Sequence, residues 1–109
     1  MRSAVTLVLM AALLTGCSSF REERQTFDGQ VYRGKAKKAD DDRKDFIAQI
    51  SPVSASLNGA REAGRYEGTR YCIENFGTSR IRWAVGPDTD PTQLVVQNDR
   101  LTFLGRCTP

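Results

Sequence analysis

Ala60, Gly64, Gly68 and Cys72 recur at every fourth position, a spacing that places all four on one face of a helix. Two glycines inside a helix cost about 1 kcal/mol each relative to alanine. A chain that accepts that cost points to close approach between this helix and a sheet. Arg61, Glu62, Arg65, Glu67, Arg70 and Glu74 fill the other faces and suit water. Ser51 before Pro52 is a reasonable N-cap, and Ser54 is an equal one. The helix is predicted to run to about Phe76, where Gly77 supplies a C-terminal stop.

Strand patterns flank the helix on both sides. Residues 27–35 alternate as a first strand, and residues 45–51 as a second with Phe46, Ala48 and Ile50 on one face. The charged stretch 37–44 between them reads as an exposed hairpin loop. After the helix, Ile81, Trp83 and Val85 share a face within 80–86, and Arg80 and Arg82 share the other. Residues 93–97 and 100–106 follow as two more strands, joined by Asn98-Asp99, which is good two-residue turn chemistry. The expected fold is α+β: an antiparallel sheet of about five strands, in the sequence order ββαβββ, with one helix packed on one face. No internal repeat or low-complexity segment interrupts it.

The N-terminus carries a different message. Arg2 precedes an apolar run from Ala4 to Leu14 that is too short to span a membrane, for which ~20 residues are needed. It fits the apolar region of a secretory signal. Leu14-Thr15-Gly16-Cys17 follows. These residues resemble the lipobox of bacterial lipoproteins, processed by the type II signal peptidase. The resemblance implies that residues 1–16 are removed and that Cys17 carries the lipid. Residues 17–26 then form the lipidated cysteine and a short polar tether, and residues 27–109 a single domain. Several acyl chains, palmitate among them, anchor stably where one does not. Ser18 stands where an aspartate is associated with inner-membrane retention, so the resemblance implies the outer membrane, facing the periplasm. The polar stretch 18–25, eight residues long, reaches only about 30 Å, which keeps the domain near its own membrane.

With Cys17 assigned, Cys72 and Cys107 remain, and an even pair in an exported domain reads as a disulfide. A redox or metal role for the two thiols is the competing reading, without a CxxC or any histidine to support it. Cys107 lies in phase with Leu101, Phe103 and Gly105 on the last strand, and Cys72 lies on the small-residue face of the helix. A helical and a strand periodicity both turn a cysteine toward the core.

Chemistry is sparse. The chain of 109 residues has a formal net charge of +3, with basic and acidic residues mixed along it. That mixture argues against a nucleic-acid partner. The absence of histidine removes the commonest general base and zinc ligand. Asp40, Asp41 and Asp42 are consecutive and do not converge on a cation. Asp88 and Asp90 sit in turn composition, and Glu67 and Glu74 are explained by pairing with Arg70. No metal, cofactor or catalytic site is expected.

Arg80 and Arg82 are the most interesting exposed candidates. With Tyr32, Trp83 or Leu104 nearby they form a possible partner surface; the alternative is a solvated face whose arginine stems cover apolar surface. Tyr71-Cys72, Phe76-Gly77 and Ile81-Arg82-Trp83 are similar to small uncharacterised periplasm-facing lipoproteins of Gram-negative bacteria, a likeness that implies no activity. The expected function is a non-catalytic, membrane-anchored envelope lipoprotein that binds a protein or a cell-wall component such as peptidoglycan. The alternative is an inhibitor-type module that inserts loop 86–92 into a wall-degrading enzyme.

Overall fold

The computed structural model describes residues 25–109. The expectations for the signal segment, for Cys17 and for the tether up to residue 24 lie outside the described residues. The chain forms β1 (Thr26–Phe27), β2 (Gln30–Val31), β3 (Arg33–Lys38), β4 (Asp45–Ser51), α1 (Leu57–Phe76), β5 (Ile81–Val85), β6 (Val95–Gln97) and β7 (Arg100–Cys107). β3, β4 and β7 lie side by side, and β5 and β6 share the far edge of β7, giving a five-stranded sheet. All pairings are antiparallel. The fold is therefore α+β, with one helix packed on one face of the sheet.

Residues 27–35 are not one strand. Asp28 and Gly29 both adopt positive φ, 53° and 72°, and make a tight turn between β1 and β2. Asp-Gly is a strong two-residue turn signal because both positions need the left-handed region. The turn folds Phe27 back against the helix, with its ring centroid 5.7 Å from that of Tyr66. A new strand then starts at Arg33 and continues to Lys38, which shortens the charged loop to residues 39–44.

The helix also begins later than either predicted cap. Ser51 ends β4 opposite Arg33. Ser54 is engaged elsewhere: its backbone N–H and its hydroxyl donate to the Asp99 carboxylate at 2.8 and 2.7 Å. Ser56 takes the cap, its Oγ accepting from the Gly59 N–H at 3.0 Å. The stop is as expected, with Gly77 at φ 69°. Asn98 and Asp99, both at positive φ, form the turn between β6 and β7.

The core lies between α1 and the strands. Phe46, Ala48 and Ile50 from β4, Leu101, Phe103 and Cys107 from β7, and Ala60, Ala63 and Cys72 from α1 are all buried. Trp83 packs edge-on against both Phe46 and Phe103, with centroids 5.5 Å apart in each case. These rings occupy the space that helix side chains would need. A Cβ at Gly68 would lie 2.6 Å from the Trp83 ring and 2.9 Å from Phe46, and one at Gly64 would overlap the Phe103 ring.

Cys72 and Cys107 form a disulfide with Cα atoms 5.5 Å apart. It fastens the last turns of α1 to the end of β7. The bond closes a loop over a separation of 35 residues, for which the chain-entropy estimate is roughly 3–4 kcal/mol. Replacing both cysteines by serine is expected to lower the unfolding free energy by at least that amount in urea titrations. A loss below about 1 kcal/mol would contradict this role for the bond.

Candidate functional site: the open face of the sheet

α1 covers one face of the sheet, and among the described residues nothing covers the other. Alternation along β4 and β7 places Asp45, Ile47, Gln49 and Ser51, with Arg100, Thr102, Leu104 and Arg106, on the bare side. Register does the rest. Arg33, Lys35 and Lys37 stand opposite Ser51, Gln49 and Ile47, and Arg82 stands opposite Arg106. Arg33, Lys35, Lys37, Arg82, Arg100 and Arg106 thus share a surface with one strand acid, Asp45. On α1, by contrast, Glu62, Glu67 and Glu74 alternate with Arg61, Arg65 and Arg70 and pair with the last two.

One of these cations is matched. The Arg106 guanidinium reaches Asp45 at 3.0 Å and Asp42 at 3.1 Å. Asp42 also accepts from the Lys44 backbone N–H. That bond, and then Arg106, hold its carboxyl below the usual range. Among the described residues the other five make no ion pair. Unpaired guanidinium and ammonium groups are donors able to form charge-assisted hydrogen bonds to anionic groups.

The structure brings only part of the predicted surface together. Arg82 lies on the open face, next to a cavity of about 310 Å³ that Leu104 also lines. Arg80 is exposed just before β5, its carbonyl accepting from the Thr108 N–H at 2.9 Å. Trp83 turns into the core. Tyr32 lies on the helix side, its hydroxyl donating to the Ser56 carbonyl at 2.8 Å. Arg33, Lys35 and Arg100 were not singled out from the sequence. Their signal is the alternation of β3 and the register of β7, which a strand starting at residue 27 conceals.

The carboxylates of loop 86–92 are occupied locally. Asp88 pairs with Arg65 at 3.3 Å, and Arg61 holds the loop through the Pro87 carbonyl at 2.9 Å. Asp90 accepts from the Thr92 N–H and hydroxyl, bonds that keep its carboxyl below the usual range. Among the described residues no group of three or more His, Cys, Asp or Glu could hold a metal ion, and no helix is long and apolar enough to cross a membrane.

Glu67 departs from the expected water-facing side of α1. Its side chain is only 13% exposed and pairs with Arg70 at 3.3 Å, packed where a Cβ on Gly34 would touch it. Burial pushes its carboxyl above the usual glutamate value. No protein-family model matches the chain, and no curated protein or solved structure matches it significantly.

The folded chain therefore binds the Glu67 proton more tightly than the unfolded chain does. This contribution favours folding at low pH and is lost as pH rises through the ordinary and then the raised glutamate value. Glu67→Gln is expected to raise the urea midpoint at neutral pH relative to the parent and to remove the fall in stability across that window. An unchanged pH profile in the variant would contradict the assignment.

Proposed function

We propose that the protein is a lipid-anchored, non-catalytic binding module of the cell envelope, held through Cys17 and presenting its open basic face to a negatively charged protein or wall component. The observation that carries the reading is that face: among the described residues it holds five cations without an ion pair and is covered by no helix. The anchor rests on Leu14-Thr15-Gly16-Cys17 behind a short apolar run. The Cys72–Cys107 disulfide suits an oxidising compartment, and the periplasmic side of the outer membrane is the proposed location.

The path of the chain supports the same arrangement. β1 lies against the outer side of α1, where Phe27 meets the exposed Tyr66. The described chain therefore starts on the helix layer, opposite the basic face.

Mass spectrometry of the natively exported protein is expected to find an acylated Cys17 as the mature N-terminus. Cys17→Ser is expected to remove the protein from the membrane fraction, and a photo-crosslinker at position 82 to capture an acidic partner in intact cells. A different N-terminus, or an unchanged membrane fraction in the variant, would remove the anchor. Capture that persists after Arg33, Lys35 and Arg100 are changed to glutamate would remove the basic face as the binding surface.

A further inference from the structure

Two cross-strand rows of the open face converge on a single depression. In the first, Arg33 stands opposite Ser51. The ladder step beyond the Ile50–Leu101 pair places Arg100 on the other side of Ser51. In the second row, Lys35, Gln49 and Thr102 stand abreast. Neighbouring strands are ~4.8 Å apart, so Arg33 and Arg100 rise roughly 10 Å apart on either side of one short serine. Two long guanidinium arms can then close on the same small group from opposite sides, with Lys35 reaching it from the next row.

The depression has a volume of about 290 Å³ and is lined by Arg33, Gly34, Lys35, Gln49, Ser51 and Arg100. Its floor offers a hydroxyl and an amide, and its walls offer three positive charges. No carboxylate lines it, and none of the three cations has an ion-pair partner among the described residues. Like charges gathered in this way repel one another, and an anion placed among them relieves the repulsion. A single carboxylate offers one negative charge and two oxygens. A phosphate monoester offers nearly two charges and three terminal oxygens, one for each of Arg33, Lys35 and Arg100. Its oxygens also accept from the Ser51 hydroxyl and the Gln49 amide.

We propose that this depression is a binding site for a phosphate monoester, borne by a lipid headgroup or a sugar. The proposal deepens the reading of the open face as the binding face and does not depend on the lipid anchor.

The test is an NMR titration of the full chain in detergent with inorganic phosphate, a soluble sugar phosphate, short-chain phosphatidic acid, short-chain phosphatidylcholine and acetate. Saturable shifts centred on Gln49 and Ser51 are expected with the phosphate monoesters, with acetate at least tenfold weaker. Arg33→Gln, Lys35→Gln and Arg100→Gln should each weaken phosphate binding at least fivefold while keeping the amide dispersion of the folded chain. Lys38→Gln, on the other side of the same strand, should leave binding unchanged. Tighter binding of phosphatidic acid than of sugar phosphate assigns the lipid source, and the reverse assigns the sugar. Equal response to acetate, non-saturating shifts spread over all exposed basic residues, or unchanged binding in the three glutamine variants would overturn the site. Crosslinking to an acidic partner without phosphate binding would leave the open face in place and remove this inference alone.

Discussion

Aromatic rings from the sheet sit where α1 has no side chains. Phe103 fills the place of a Cβ on Gly64, and Phe46 and Trp83 fill the place of one on Gly68. Ala60, Ala63 and Cys72 complete the inward surface of the helix. The backbone of α1 therefore lies close over the sheet, and the core consists of strand side chains pressed against helix backbone. The glycines weaken the isolated helix, and burial of large aromatic surface offsets that loss.

The disulfide extends this contact to the end of the helix. β7 lies beneath it at the centre of the sheet, paired with β4 on one side and with β5 and β6 on the other. Fastening β7 to α1 thus fixes the strand on which the register of its neighbours depends. It also commits the single helix to one face. Among the described residues the opposite face has no second layer, so its alternate residues are free to be long and charged, and the register gathers those charges into rows.

The close-packing face of α1 was readable because a fourfold spacing of small residues has one simple structural meaning. The same is true of β4, whose alternation is undisturbed, and of Asn98-Asp99, whose turn chemistry is local. Cys72 and Cys107 were paired correctly because two different periodicities turned them toward the same core. The beginning of α1 was not readable, since Asp99, 45 positions from Ser54 in sequence, takes the serine that would have capped it. Residues 27–35 misled because their alternation runs through an Asp-Gly turn that reverses the chain. Arg33, Ser51 and Arg100 come from three strands and meet only through register, so no local pattern announces the depression they line. Glu67 looked solvated by helical position, and the approach of β3 at Gly34 is what buries it.

The close approach of α1 to the sheet is most directly tested by the unfolding free energies of Gly64→Ala and Gly68→Ala in the oxidised protein. Helix propensity alone would stabilise each variant by about 1 kcal/mol. Forcing a methyl group against Phe103, or against Trp83 and Phe46, costs about 1–3 kcal/mol. Both variants are therefore expected to be no more stable than the parent, and the more rigidly held ring to give a net loss. A gain of about 1 kcal/mol in both would show that the helix backbone does not lie against those rings.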